Sequence, residues 1–247
     1  MEGSAYIAMT GLLAASKRLD VTANNLANAS TTGYKAERAA FRAVPFFYQG
    51  QPNRVDVVAQ KNGMDLQQGA IQQTGRPLDI ALNGPGFFVV QSQGGVKSYT
   101  RAGNLNLSAQ GMLINANGQA VLGVGGSPIY VPSGASVRVT SNGTVSAIPN
   151  TPNARAASVG QILVVNPLSA SIQPQGNDLF APNPGQKVSI KGIAAQIVPG
   201  ALEGSNVNPV NSMIHMISAS RLFQWETQAV QTISTDQKDA NSIPSNL

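Results

Sequence analysis

Cysteine is absent from the 247 residues, which removes thiol nucleophiles, thiolate metal sites, iron–sulfur clusters and disulfides together. Histidine is nearly absent. His215 is the single imidazole, too little for most zinc or haem sites, and its place between Ile214 and Met216 reads as a helix-surface or interface histidine. Charge is also scarce, at 11% of residues against about a quarter in ordinary soluble domains. The net +5 comes from 16 basic and 11 acidic residues spread along the chain. No Lys/Arg cluster and no basic stripe interleaved with aromatics appears, so nucleic-acid binding is not expected. Aromatics are only 5%, so the core must come from Val, Ile, Leu and Ala. No apolar run approaches the ~18 residues that a membrane-spanning helix needs. The opening Met1-Glu2-Gly3-Ser4-Ala5 puts an acid where a secretory leader carries positive charge, so no cleaved signal peptide is expected.

Catalytic signatures are missing too. There is no phosphate-cradling loop, no H-E-x-x-H, no G-x-S-x-G and no EF-hand loop. Gly123-Val124-Gly125-Gly126 begins like a dinucleotide loop, but Pro128 stands where the last glycine is needed. The carboxylates are scattered, with no pair suggesting a glycosidase. No metal and no cofactor is expected.

What is present divides into regions. Residues 4–45 read as helical, with Ala5, Leu12, Leu19 and Leu26 at heptad d positions and Met9, Ser16 and Ala23 at a. Ser30-Thr31-Thr32-Gly33 reads as a stop, and a second helical segment is expected over Lys35–Ala43 before Pro45. Residues 46–74 read as an extended connector with room for one or two strands, punctuated by Gly50, Pro52, Asn53, Gly63 and Gly69. Residues 75–203 read as β, because short apolar runs alternate with turn residues. Asn117-Gly118 and Asn142-Gly143 predict type I′ hairpins, and Gly94-Gly95 predicts another. Further strands are expected at 161–165, 188–191 and 194–198. Residues 206–240 return to helix, with Met213, Met216, Ser220, Phe223, Thr227, Val230 and Ser234 stepping by three and four. The expected fold is α+β: terminal helices paired as a coiled coil around a central all-β domain. The expected domains are 1–45 plus 204–247, a connector at 46–74, and a β domain at 75–203.

The helical ends carry little apolar mass. Four large side chains in the first seam give about 8 kcal/mol gross at ~2 kcal/mol each. Ordering costs about 1 kcal/mol or more per residue over the same helix. Such ends need more partners than one chain supplies. Asn24, Asn25 and Asn28 fit either a solvated helix end or a polar face against a neighbouring subunit, and spacing alone leaves both open.

The segment Ala23-Asn24-Asn25-Leu26-Ala27-Asn28-Ala29-Ser30-Thr31-Thr32-Gly33-Tyr34-Lys35 resembles the N-terminal signature of bacterial flagellar rod and hook proteins. Glu203-Gly204-Ser205-Asn206-Val207-Asn208-Pro209-Val210 resembles their C-terminal signature. Arg76-Pro77-Leu78-Asp79 through Phe88, with Tyr99-Thr100-Arg101-Ala102-Gly103, is similar to their β-domain motifs. Within that family the proximal-rod type is the nearer likeness and the distal-rod type the runner-up. The resemblance implies a non-enzymatic subunit of a hollow, torque-carrying shaft that crosses the periplasm. It implies copies of itself, other rod proteins and the flagellar type III export apparatus as partners. On this reading Leu12, Leu19, Leu26, Met213, Ile217 and Phe223 pack subunits. Asn24, Asn25, Asn28, Thr31, Gly33, Asn206 and Asn208 form a polar assembly motif, with Gly33 permitting the chain reversal. The contrasting readings are a cell-wall-acting enzyme and a free-standing adhesive β protein with a helical stalk.

Overall fold

The computed structural model describes residues 2–48, 51–60, 63–151, 155–168, 171–176, 178–185 and 196–242. The strand expected at 188–191, and the start of the one at 194–198, lie outside these residues. The architecture is α+β: two long terminal helices and a large β-rich middle. The chain forms two compact units, Met1–Ala29 with Ala36–Asp65 and Val207–Leu247, and Ser30–Lys35 with Leu66–Asn206.

The first unit contains α1 (Glu2–Ala27), β1 (Glu37–Arg38), β2 (Phe41–Tyr48), β3 (Gln51–Ala59), β4 (Gly63–Met64) and α2 (Pro209–Ser242). Helix α1 packs against α2 and β3. Its inward stripe is Ala5, Ala8, Leu12, Ala15, Leu19, Thr22 and Leu26, alternating steps of three and four; Ala8 and Ala15 are buried on it, and Val21 and Asn25 are buried beside it. The Leu positions therefore fall on the expected stripe, but the other half of the seam does not. Met9 is exposed and its neighbour Ala8 takes the contact. On α2 the inward residues are Ser212, Met216, Ala219, Phe223, Glu226, Val230 and Ile233. Small residues recur at seven-residue spacing on both helices, which lets two backbones approach closely.

The segment expected to be helical over Lys35–Ala43 is strand instead, in β1 and the start of β2. Its Ala-, Glu- and Arg-rich composition favours helix, but the Asn25 side chain overrides it. Asn25 donates to the Glu37 carbonyl at 2.8 Å and accepts from the Glu37 N–H at 2.8 Å, as a neighbouring strand would. Strands β2 and β3 make a long antiparallel hairpin, so most of the expected connector's first half is a β ribbon.

The second unit is antiparallel throughout. Its main sheet runs β16 (Ile172–Gly176), β17 (Leu179–Pro182), β8 (Lys97–Thr100), β7 (Phe87–Gln91), β11 (Ala120–Val121), β10 (Leu113–Ile114) and β9 (Asn106–Leu107), with β15 (Val164–Val165) also on β7. A three-stranded sheet joins β12 (Ser136–Val139), β13 (Thr144–Ile148) and β14 (Ala157–Gln161). Two pairs complete the unit: β6 (Ile80–Asn83) with β18 (Gln196–Pro199), and β5 (Ile71–Gln73) with β19 (Ala201–Glu203). The core between the sheets is aliphatic, built on Ile80, Leu82, Val90, Leu113, Val121, Val145, Ile162 and Ile197 with Phe88.

The Asn-Gly hairpins form, but not as type I′ turns. Gly118 and Gly143 have φ of 75° and 84°, while Asn117 and Asn142 stay at negative φ. Asn115 N–H bonds Gln119 O, and Thr140 N–H bonds Thr144 O, leaving three-residue loops whose third member is the glycine. The same pattern closes Ser92–Val96 on Gly95, Ser108–Met112 on Gly111 and Gly123–Ser127 on Gly126. One turn design thus recurs five times among the described residues, and Gly94-Gly95 belongs to it.

Candidate functional site

Gly33 follows the end of α1 at φ 74°, a conformation that costs a side-chain-bearing residue dearly. A Cβ there would lie 2.4 Å from the backbone nitrogen of Ala102. Gly33 N–H instead donates to Glu203 O at 2.8 Å, so this turn is laid flat on the β unit. Two residues later Lys35 is drawn into the interior of the same unit. Its ammonium donates to Glu203 Oε1 at 2.6 Å and to Gln67 O at 2.6 Å. Glu203 Oε2 accepts from Arg101 Nη1 at 3.0 Å, and its Oε1 also accepts from Gly69 N–H at 3.0 Å. The Lys35 and Glu203 side chains are both 0% exposed.

Three charged groups are therefore buried together. Burial pulls the Arg101 guanidinium below its usual pKa range, and the Glu203 carboxylate opposes that shift. Arg101 is further held by Gly84 O at 2.8 Å and lies 5.4 Å from the Phe87 ring centroid. Glycines make room for the cluster: a Cβ on Gly69 would sit 2.1 Å from Gly204 O, and one on Gly103 would overlap Ile80 O. Each partner comes from a different sequence segment singled out above. Lys35 closes the first, Arg101 sits in the β-domain motif, and Glu203 opens the last. Chemically the arrangement is a closed ionic lock; within it, Arg101 Nε is buried without a hydrogen-bond partner among the described residues.

The expected site residues fall in several settings. Thr31 O accepts from Tyr34 N–H, and Asn206 Nδ2 donates to Gln67 O at 3.0 Å beside the lock. Asn208 caps α2. Its Oδ1 accepts from Asn211 N–H at 3.1 Å, and Pro209 takes the first helical position, where no N–H is missed. Asn24 donates to the Glu37 carboxylate at 3.3 Å, and Asn28 donates to Asn24 O at 2.9 Å. Asn25 is buried and paired with its own chain, so neither a solvated end nor a subunit-facing amide describes it. Leu12, Leu19, Leu26 and Phe223 lie on the inward stripes. Met213 and Ile217 do not; they are 50% and 53% exposed, on the opposite side of α2 with Val210, Ile214 and Trp225. On α1, Tyr6, Ile7, Met9 and Leu13 are also exposed. Both helices thus carry apolar residues on two faces. The Lys35–Arg101–Glu203 cluster was not among the expected site residues, although all three stand in the quoted motifs.

Among the described residues no group of His, Asp and Glu could hold a metal, and no helix is long and apolar enough to cross a membrane.

Family models match three parts of the chain. "Flagella basal body rod protein" matches residues 6–35, "Flagellar hook protein FlgE/F/G D1 domain" residues 81–147, and "Flagellar basal body rod FlgEFG protein C-terminal" residues 198–243. Among curated relatives, the flagellar basal-body rod protein FlgF of Salmonella typhimurium is 35% identical, covering 98% of both chains. FlgF of Escherichia coli is also 35% identical with 98% of both covered. FlgG of Agrobacterium fabrum is 31% identical over 92% of this chain and 93% of that protein. The matches to the outer models cover α1 from residue 6 onward and all of α2, and they include Lys35 and Glu203. The chain belongs to the family of bacterial flagellar basal-body rod proteins, as a FlgF-like member.

Proposed function

We propose that the chain is a structural subunit of the proximal rod that polymerises through its terminal helices and catalyses nothing. The observation that carries this is the second apolar face of each helix. Val210, Met213, Ile214, Ile217 and Trp225 on α2, and Tyr6, Ile7, Met9 and Leu13 on α1, remain exposed after the helices have packed on their own unit. Contiguous apolar surface of this kind marks an interaction site. Neighbouring subunits would cover it, while the inward stripes hold each helix pair in a coiled-coil-like register. Copies of itself and other rod proteins are the partners. The subunit would reach the rod, across the periplasm, through the flagellar export apparatus without a cleaved leader.

A distal, FlgG-type role is the second reading, favoured by the FlgG relative at 31% identity. Isolation of basal bodies from cells carrying a tagged chain separates the two. A proximal subunit co-purifies with rods that stop short of the distal segment, and a distal one is absent from them. Cells lacking the chain should be non-motile, without complete rods. Normal rods in such cells would overturn the proposal, and turnover of peptidoglycan by the purified chain would restore the enzyme reading.

A further inference from the structure

The second unit carries a cleft of about 300 Å³ lined by Ser30, Thr31, Thr32, Asn104, Asn115 and Asp178, among others. Among the described residues Asp178 is the only charged one that lines it, and no ion pair to it occurs among them. Asp178 is also the only non-glycine among those residues at positive φ, 56°. Asn tolerates that backbone and burial at lower cost than a carboxylate. The Asn104 Oδ1, on the same cleft, is buried without a hydrogen-bond partner among the described residues. Burial raises the Asp178 carboxyl to about 6.

A lone carboxylate and an unsatisfied oxygen acceptor ask for a cationic donor. One carboxylate is a weak basis for a divalent ion, which gathers six to eight oxygen ligands. The cleft is also roughly ten times a water molecule's share of liquid volume, room for a long side chain. The chain itself is the basic species at hand, with 16 Lys and Arg against 11 acids. Arg138 and Arg155 are exposed in the same unit.

We propose that this cleft receives a lysine or arginine side chain from a second copy of the chain, with Asp178 as its counter-ion. This rests on the reading of the chain as a polymerising rod subunit. The test places a benzophenone photocrosslinker at Ala116, on the cleft, in the full chain, and irradiates isolated basal bodies. The expected adduct joins two copies and maps to a peptide around a Lys or Arg. Asp178→Asn should reduce that adduct roughly tenfold or more, as loss of one partner of an interfacial charge pair does, and Asp178→Glu should retain most of it. Loss of the Asn variant from basal bodies, with thermal unfolding of the purified variant no easier than that of the wild type, counts as the same result. An adduct only with a different protein, no adduct, or equal yields for wild type and Asp178→Asn would overturn the inference while leaving the rod reading intact. Absence of the wild-type chain from basal bodies would overturn both.

Discussion

Replacing Glu203 by Gln should be far more damaging than replacing Lys35 by Met, although both break the same 2.6 Å contact. The reason is charge arithmetic. Lys35, Arg101 and Glu203 together carry one net positive charge in a site closed to water. Lys35→Met leaves a neutral Arg101–Glu203 pair at 3.0 Å. Glu203→Gln leaves two buried cations, and the new amide group points a donor at one of them. Breaking a buried pair by removing one partner costs about 3–5 kcal/mol. Glu203→Gln falls at the top of that range, because Lys35, Arg101 and Gly69 N–H all lose an anionic acceptor. Lys35→Met should cost about 1–3 kcal/mol, near the value of an unsatisfied carbonyl at Gln67 plus altered packing. Against a typical total of about 5–15 kcal/mol, only the first threatens folding. At roughly 2–4 °C per kcal/mol, Glu203→Gln should lower the melting temperature by about 10–20 °C. Calorimetry is the suitable assay, since Trp225, the sole tryptophan, lies in the other unit and does not report on this one. Equal losses for the two variants, or a loss under about 1 kcal/mol for Glu203→Gln, would refute the buried-charge account.

Asp178→Asn should stabilise the isolated chain by on the order of 1 kcal/mol near pH 7.5, after allowance for the group's partial exposure. The folded carboxyl titrates near 6, above its ordinary 3.8, so the native state binds the proton more tightly. Wild-type stability therefore falls as pH rises from about 4 to 6, and the variant's advantage should vanish near pH 4 in denaturant titrations. Ile217→Asp should leave unfolding of the purified chain within about 0.5 kcal/mol, as expected at an exposed position, yet exclude it from basal bodies in a co-purification assay. Asn25→Ala removes both bonds to the Glu37 backbone. It should cost about 1–3 kcal/mol and speed proteolysis near β1, read by mass spectrometry.

The parts of the fold legible in the sequence are those written in large apolar side chains or in glycine. Leu12, Leu19 and Leu26 announce a helix and one half of its inward stripe. The other half went to Met9, Ser16 and Ala23 because Ala8 and Ala15 carry almost no hydrophobic signal. Packing chose them for their small size. The helices' outward faces have a similar ambiguity, since Met213 and Ile217 look like core residues in any periodicity count. The hairpins were marked by Asn-Gly, but the loop length that makes glycine the left-handed member depends on cross-strand pairing. Residues 35–43 were misread because local composition favours helix, whereas the decisive partner, Asn25, acts across a turn. The ionic lock was beyond periodicity altogether. Nothing in the spacing of Lys35, Arg101 and Glu203 tells that they meet.

That meeting also governs when the β unit can close. Lys35 and Glu203 are separated by 168 positions, so the bond joins nearly the first and last residues of its unit. Contacts this distant in sequence form slowly and late. A chain emerging from its N-terminus first presents Lys35 and Arg101 long before their carboxylate arrives, and burying the two cations without it costs about 3–5 kcal/mol. Delivery of residue 203 accordingly favours closure of the unit. A fragment truncated before that point lacks the anion that balances its interior, so the lock favours the polypeptide that extends through residue 203.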